Sequence, residues 1–190
     1  MVKPVRRVVT GLDSNGRARV LIDDVSPHVH SNMSMGETGG GITEIWSTSE
    51  SPATYDNLGD RAIFPVQHDP NRNGSIFRLI ELMPTQNQSE IPLEEMLVAV
   101  RSQFEAIQSK FIPTSESVAR HPTFHKTDSV DYLVVLSGEL TMLLDDDEEV
   151  TLHAGDVIVQ QGVMHGWRVE GNEPVQLIVV LIDGASAYDE

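Results

Sequence analysis

The C-terminal third of the chain is a succession of short apolar segments separated by glycine or acidic residues. The sequence predicts strands there at 130–136, 139–144, 149–152, 157–160, 166–169 and 175–182. Strands this short and evenly spaced are typical of an antiparallel barrel or sandwich. We therefore predict a fold that is mainly β, with alternate side chains of each strand facing a shared interior.

The N-terminal part adds a predicted hairpin and two further strands. Apolar segments at 5–10 and 18–22 flank Asn15-Gly16, a pair that favours a tight turn because glycine accepts a positive φ. The polar stretch 26–41 is predicted to be a loop, and strands are predicted at 42–48 and 75–83.

Residues 92–111 break the strand pattern. Pro92 suits a first helical turn, since its missing N–H has no partner there. Apolar residues then recur at helical spacing, which predicts one amphipathic helix: Leu93, Met96, Leu97, Val100, Phe104, Ile107 and Phe111. We expect this stripe to pack on the core, with closure of one barrel end and contact with a partner subunit as alternatives.

Charge and composition exclude several classes of function. The 190 residues carry a formal net charge of −16, which disfavours nucleic acid and anionic membranes as partners. The chain has no cysteine, so thiolate ligands, disulfides and cysteine nucleophiles are excluded. Residues 1–11 lack the apolar run of a signal peptide, and no stretch has the ~20 apolar residues of a membrane span. We therefore expect a soluble, cytoplasmic protein.

Two segments carry recognisable motifs. HKTDSVDYLVVLSGEL begins at His125 and includes Asp131 and Gly138, and GDVIVQQGVMHGW begins at Gly155 and includes His165. They resemble the two motifs of the cupin superfamily, G-x5-H-x-H-x3-4-E-x6-G and G-x5-P-x-G-x2-H-x3-N. The spacing from Asp131 to Gly138 and the segment 162–165 (GVMH) agree with these motifs.

The chain also departs from the family pattern. Thr127 stands where the second motif histidine is expected, and Asp131 stands in the glutamate position. Gln161 replaces the proline of the second motif, and Val169 replaces its asparagine. The set of three histidines and one glutamate that usually binds the metal is therefore incomplete.

The resemblance implies a single cupin domain over residues 1–190. The implied fold is all-β, a cupin double-stranded β-helix (jelly-roll barrel) with one amphipathic α-helix insertion at about 90–112. The hairpin and first strands form an N-terminal extension over 1–48, and the cupin motifs occupy 121–170. The resemblance covers the C-terminal motifs well and the N-terminal half only as a string of strands.

Strand parity predicts which motif side chains meet inside the barrel. His125, Thr127 and Asp131 share one face of their strand with Leu133, and His165 shares a face with Trp167. We predict that His125, Asp131 and His165 are both the catalytic residues and the ligands of one metal ion, with Thr127, Leu133 and Trp167 lining the cavity. Two imidazoles and a carboxylate suit a divalent Fe, Zn, Ni or Mn ion.

Other residues are alternatives or additions to this set. His121 has the parity of His125 and could replace the missing motif histidine, and a bulge could turn Asp128 inward. His28 and His30 form an H-x-H pair in the predicted loop, without a converging acid. His68 and His153 are interpreted as surface turn residues. A metal-free cavity is the further alternative.

The resemblance implies a small-molecule enzyme that uses a divalent metal in the barrel. Its chemistry would be that of a lyase or isomerase (a dehydratase or decarboxylase) or of a non-haem iron oxygenase. The alternatives are a non-catalytic module that binds or senses a small molecule, and a metal-free enzyme with His125 and His165 as acid and base. No G-x-S-x-G, Walker or H-E-x-x-H motif occurs. We also expect a homodimer, because the added hairpin brings an edge that a second copy could cover.

Overall fold

The structure is a computed structural model that describes residues 2–31, 40–55, 59–84 and 91–187. The strands in the N-terminal half are β1 (Arg6–Leu12), β2 (Ala18–Val25), β3 (Val29–Ser31), β4 (Gly41–Thr48) and β5 (Ser75–Leu82). Two helices follow, α1 (Leu93–Ala106) and α2 (Ser115–Arg120). The later strands are β6 (Ser129–Ser137), β7 (Glu139–Leu143), β8 (Glu149–His153), β9 (Val157–Gln161), β10 (Gly166–Arg168) and β11 (Val175–Asp183).

The strands form two facing sheets and a separate hairpin. The main sheet has the order β3-β4-β5-β11-β6-β9, and the small sheet has the order β10-β7-β8. The strand pairs of the described residues are all antiparallel, and β1 pairs only with β2 among them. This arrangement is the all-β, double-stranded β-helix architecture that the sequence predicted.

The core lies between the two sheets. Leu133 and Val135 of β6 share one buried cluster with Val179 of β11, and Leu140 of β7 and Trp167 of β10 join it from the small sheet. Along β6 the buried residues alternate with partly or largely exposed ones, as expected for a strand with one face inside. Burial of these apolar side chains is the main stabilising contribution to the barrel.

The predicted helix is present but shorter than expected. α1 ends at Ala106, and Gln108 has a φ of 53°, a left-handed conformation that ends a helix. Met96, Leu97 and Val100 of its stripe are buried in a second apolar cluster with Val118 of α2, which is distinct from the cluster between the two sheets. The sequence did not predict α2, where Thr114 and Ser117 form a capping box.

The predicted loop 26–41 was wrong in one respect, because it contains β3. Val29 and Ser31 pair with Thr43 and Gly41 of β4, so β3 and β4 belong to the main sheet. Of the predicted N-terminal extension 1–48, only the β1–β2 hairpin therefore lies outside the two sheets, and Arg7 of β1 ties it to β4 by donating to the carbonyl of Ile45 at 3.2 Å. Neither described helix is long and apolar enough to cross a membrane.

Candidate functional site

His125 and His165 meet across a backbone bridge at one end of the barrel. The N–H of His125 donates to the carbonyl of His165 at 2.8 Å, and the N–H of His165 donates back to His125 at 2.8 Å. The ring centroids lie 4.4 Å apart. We call these two residues the imidazole pair. The structure thus brings together the two histidines that the motifs singled out.

Each ring of the imidazole pair is oriented by a backbone carbonyl. Nδ1 of His125 lies 2.6 Å from the carbonyl oxygen of Thr123, and Nδ1 of His165 lies 3.0 Å from that of Val163. A neutral imidazole that donates from Nδ1 keeps the lone pair on Nε2. Among the described residues, none hydrogen-bonds to either Nε2 atom, so both are available to a ligand.

Burial keeps the imidazole pair neutral. Desolvation lowers the pKa of His165 to about 3, and the charge of His125 lowers it further. Desolvation also lowers the pKa of His125, although its hydrogen bond to Thr123 and the charge of Asp69 oppose the shift. Both rings are therefore uncharged at neutral pH, which is the form that binds metals or accepts protons.

A third histidine stands beside the pair, and the sequence had placed it elsewhere. His68 was predicted to lie in a surface turn, but it is only 7% exposed and its ring centroid is 4.8 Å from that of His125. Phe104 of α1 covers both rings, with centroid distances of 5.4 Å to His68 and 5.5 Å to His125. No sequence pattern around His68 predicts its position beside the pair. The only related signal is that Thr127 stands where the family motif has a histidine.

Asp131 is buried on the inner face of β6, as its parity predicted, but its carboxylate is held by hydroxyl groups. The Ser129 hydroxyl donates to its Oδ1 at 2.6 Å, and Thr127 Oγ1 lies 3.5 Å from its Oδ2. Burial raises the pKa of Asp131 to about 6, while these hydrogen bonds and the charge of Arg78 oppose the rise.

The three predicted cavity-lining residues are buried. The Thr127 hydroxyl is hydrogen-bonded to the Ser129 hydroxyl at 2.8 Å, so it belongs to the group of hydrogen bonds around Asp131. Leu133 and Trp167 belong to the central core, and the Trp167 ring also contacts His165 at 5.5 Å between centroids. Trp167 is thus the apolar wall of the imidazole pair on the side of the small sheet.

Neither of the additional candidates joins the imidazole pair. Asp128 is exposed, so the suggested inward bulge is wrong. His121 is buried, and its Nδ1 lies 2.8 Å from Thr123 Oγ1. Desolvation lowers the pKa of His121 to about 4, and its Nε2 has no hydrogen-bond partner among the described residues.

The remaining histidines lie away from the pair. His28 Nε2 is 2.9 Å from Asp60 Oδ2, and His30 lies in β3 rather than in a loop. His153 is exposed beside Glu139, as predicted, but it is the last residue of β8 and not a turn residue. The H-x-H motif of His28 and His30 is therefore part of the N-terminal strands and does not contribute to the imidazole pair.

A buried ion pair lies on the same interior face of the main sheet. Arg78 of β5 faces Glu44 of β4, with 2.8 Å between Nη2 and Oε1 and side chains 1% and 0% exposed. The angle of this contact is not that of a hydrogen bond, so both Glu44 oxygens lack a hydrogen bond within the described residues. Desolvation raises the pKa of Glu44 to about 7, although Arg78 opposes the shift.

The metal-ligand set predicted from the sequence is not gathered around one point. The described residues contain no group of three or more His, Cys, Asp or Glu side chains placed to hold a metal ion. His125 and His165 are adjacent, whereas Asp131 is bonded to Ser129 and Thr127. In donor type, neutral imidazoles oriented through Nδ1 fit a first-row divalent metal. The pair supplies only two donors, whereas most catalytic metal sites have three protein ligands.

An open cleft of about 550 Å³ lies between α2 and the acidic turn that follows β7. Phe124 and Met164, which line it, directly precede His125 and His165. Neighbouring side chains on extended backbone point to opposite sides. The cleft therefore lies across the backbone bridge from the imidazole pair.

Comparison with known proteins agrees with this architecture. Residues 111–181 match the cupin domain family. The chain is 29% identical to the cupin-domain-containing oxidoreductase fogC of Aspergillus ruber, over 97% of this chain and 75% of that protein. It is 25% identical to the cupin-domain-containing oxidoreductase srdD of Neurospora crassa, over 99% of this chain and 80% of that protein.

A solved structure of a conserved protein with a double-stranded β-helix domain, from Klebsiella pneumoniae, aligns with 81% of this chain and 84% of its own. The TM-score is 0.43 and the identity is 15%. The matched family segment contains β6 to β10 and both members of the imidazole pair. Residues 111–181 of this chain are therefore a cupin domain.

Proposed function

We propose that this chain is an oxidoreductase that acts on a small organic molecule at the imidazole pair and uses a first-row divalent metal. Similarity to two cupin-domain-containing oxidoreductases over nearly the whole chain supports an enzyme of this superfamily. The same similarity favours redox chemistry over the lyase and isomerase reactions that the fold also allows. The observation that carries the proposal is the pair of neutral imidazoles with fixed Nδ1 atoms and available Nε2 atoms.

The surroundings of the pair suit a metal centre. A carbonyl acceptor at Nδ1 fixes the ring orientation and raises the basicity of Nε2, which is the usual outer contact of a metal-bound histidine. His125 and His165 would hold the metal through Nε2. When bound, a first-row metal polarises a substrate oxygen and, if it is redox-active, also exchanges electrons with the substrate.

The apolar rings around the pair would exclude bulk water. Phe104 lies over His125 from α1, and Trp167 lies against His165 from β10. A low local dielectric strengthens the interaction of a bound cation or substrate dipole with the imidazoles. Asp131, with a pKa of about 6, is a buried carboxyl group that could store a proton, but its described contacts are to Ser129, Thr127 and Arg78.

A metal-free enzyme is the second candidate, and one observation favours it: none of the described residues is placed with the imidazole pair as a third metal donor. In that case one Nε2 atom would accept a proton from a substrate bound beside the pair, and the other imidazole, once protonated, would return a proton to it. The reaction would then be a proton transfer within the substrate, with His125 and His165 as base and acid. Metal content separates the two candidates.

The experiment measures the metal content of purified protein before and after anaerobic reconstitution with Fe²⁺, Mn²⁺, Ni²⁺ or Zn²⁺. We expect bound metal in the wild type and its loss in His125→Ala and His165→Ala, because removing one donor of a small ligand set removes much of the binding energy. His153→Ala is the matched control, since His153 is exposed on β8. A wild type without bound metal would leave the metal-free candidate.

The reaction class needs a second measurement. Metal-loaded wild type and His165→Ala are incubated in air with a set of small organic acids, alcohols and phenols, and products are analysed by mass. Gain of oxygen or loss of hydrogen that requires His165 supports an oxidoreductase. Products isomeric with the substrate, or formed by loss of water or carbon dioxide, would contradict it and indicate lyase or isomerase chemistry.

A further inference from the structure

The main sheet is apolar on both of its faces. The side chains of β11 that point away from the core are Ile178, Val180 and Ile182. An antiparallel sheet with one face in water alternates apolar residues with polar ones. β11 instead has a continuous apolar run over 177–182, which is typical of a strand that is covered on both sides.

The face that points away from the core is exposed over four strands. Val159 of β9 pairs with Tyr132 of β6, Tyr132 with Val180 of β11, and Val180 with Phe77 of β5. These four residues form one row across the sheet, and Val159 and Tyr132 are 57% and 49% exposed. Val157, also on β9, is 71% exposed. We call Val157, Val159, Tyr132, Val180 and Phe77 the outer sheet face.

The β1–β2 hairpin carries a second exposed apolar surface. Strand pairing puts Val8, Val20 and Val25 on one side of the hairpin, opposite to Arg7, and all three are more than half exposed. The Arg7 side packs on β4 of the same chain, since its guanidinium donates to the carbonyl of Ile45 at 3.2 Å. A two-stranded hairpin is only marginally stable in water, so covering its free side would stabilise it. We call Val8, Val20 and Val25 the hairpin face.

The distribution of charge favours a second copy of this chain as the partner. The first 25 residues have five basic and three acidic side chains, a net charge of +2, whereas the rest of the chain has a net charge of −18. Two such acidic bodies repel each other, but a hairpin from one copy attracts the body of the other. Arg17 and Arg19 of the hairpin are exposed, and Asp128 and Asp156 are exposed at the two ends of the β6–β9 edge.

The size of the two faces favours a contact that uses both. The outer sheet face spans four strands, and with ~4.8 Å between strands and ~3.4 Å per residue its area is roughly 400 Å². The hairpin face has two strands and an area of roughly 230 Å². A complex of standard size buries about 800 Å² on each partner. The sheet face alone supplies about half of this, whereas a reciprocal contact draws on both faces of each copy and supplies most of it.

We propose that the outer sheet face binds the hairpin face of a second copy of this chain, and that a two-fold axis makes the contact reciprocal. Both exposed apolar faces of each copy are then covered, and the assembly closes as a dimer. The proposal does not depend on the chemistry at the imidazole pair.

The test uses the full chain and two variants of opposite charge, Val20→Lys on the hairpin face and Val159→Glu on the outer sheet face. Light scattering at micromolar concentration should give twice the 21.0 kDa of one chain for the wild type. Each variant alone should be a monomer, with its dimer dissociation constant raised at least ~10-fold, because a charge is buried in an apolar contact. Val98→Lys, on α1, is the matched control and should stay dimeric.

An equal mixture of the two variants tests reciprocity. A heterodimer of Val20→Lys and Val159→Glu has one contact in which both faces are unmodified. Its other contact joins the introduced lysine to the introduced glutamate, which attract each other. The mixture should therefore regain the dimer mass, and native mass spectrometry with one isotope-labelled variant identifies the heterodimer. Val8→Lys and Val157→Glu replace either variant that loses the circular dichroism spectrum of the wild type.

The outcomes assign the contact. A wild-type mass near 21.0 kDa overturns the proposal and leaves the outer sheet face to a different partner. A dimer that persists in Val20→Lys indicates packing of sheet on sheet, and one that persists in Val159→Glu indicates packing of hairpin on hairpin; either overturns it. Two monomeric variants whose mixture stays monomeric overturn the reciprocal contact, and a restored heterodimer supports it.

Discussion

The main-chain N–H groups of His125 and His165 donate to each other's carbonyl oxygens, at 2.8 Å in both directions. The backbone, and not ring packing, therefore sets the distance between the two imidazoles. This bridge joins the segment before β6 to the start of β10, and so connects the main sheet with the small sheet.

The first prediction concerns this bridge. Because both hydrogen bonds are between backbone groups, removing an imidazole should leave them intact. We expect the amides of residues 125 and 165 to exchange slowly in wild type. In His125→Ala their exchange rates should rise by less than about tenfold, which corresponds to less than ~1.4 kcal/mol of local destabilisation. Hydrogen exchange followed by NMR measures this. Rapid exchange at residue 165 in the variant would show that ring packing maintains the bridge.

The second prediction separates Asp131 from the imidazole pair. Since its carboxylate is bonded to Ser129 and Thr127, Asp131→Asn should retain the metal affinity of the wild type. It should lower the free energy of unfolding by about 1–3 kcal/mol, because an amide replaces the buried carboxylate that accepts the hydrogen bond of the Ser129 hydroxyl. Calorimetric metal titration and urea denaturation measure the two effects. Loss of metal binding in a folded Asp131→Asn protein would restore Asp131 as a ligand.

The third prediction is a pH dependence of stability from Glu44. Its pKa is about 7 in the folded chain against 4.5 as the ordinary value, so the folded state binds this proton more tightly than the unfolded state. The stabilisation is fully present below pH 4.5 and is lost as pH rises through 7, by roughly 3 kcal/mol at most.

Glu44→Gln provides the control, because glutamine has the same shape and does not titrate. The difference in unfolding free energy, wild type minus variant, should fall between pH 5 and pH 8, as measured by urea denaturation in buffers of equal ionic strength. A difference that rises over this range would mean that Glu44 is already ionised at pH 5. The charge of Arg78 would then lower the pKa of Glu44 by more than burial raises it.

The fourth prediction concerns the end of α1. Gln108 has a φ of 53° and is exposed, so glycine can adopt the same backbone conformation without loss of a buried contact. Gln108→Gly should raise the free energy of unfolding by roughly 0.5–1 kcal/mol, since a left-handed residue with a Cβ is strained. Gln103→Gly, within α1, should instead lower it by about 1 kcal/mol. Thermal denaturation of both variants tests the sign.

The fifth prediction is a homodimer that uses the outer face of the main sheet. β9 is an edge strand, and Val157 and Val159 on it are 71% and 57% exposed beside Tyr132 and Leu136 of β6. An exposed apolar face at a sheet edge favours association. Light scattering at micromolar concentration should give twice the 21.0 kDa of one chain.

Val159→Lys should convert this dimer to the monomer, because burying a charge at the interface is costly. Val98→Lys is the matched control, as Val98 is an equally small apolar residue, 71% exposed on α1. A wild-type mass near 21.0 kDa would refute the dimer. An unaffected dimer in Val159→Lys would assign the interface to another face, such as the β1–β2 hairpin.

Local periodicity made much of the barrel predictable from the sequence. Along β6, Asp131, Leu133 and Val135 are buried and Tyr132 is exposed, which is the alternation that strand geometry imposes. The turn at Asn15-Gly16 is confirmed, with a φ of 73° at Gly16. The motif spacing also identified His125 and His165, which face each other in a β-bridge outside the named strands.

Tertiary structure alone decided which other groups reach the pair. His68 comes to His125 through contacts with the residues that follow α1, a pairing across 41 residues that leaves no periodic trace in the sequence. Asp131 has the inward parity that the sequence indicated, yet hydroxyls two and four residues away along the chain take up its carboxylate. Parity determines which face a side chain occupies, and its orientation on that face depends on the nearest hydrogen-bond partner, which only the folded chain supplies.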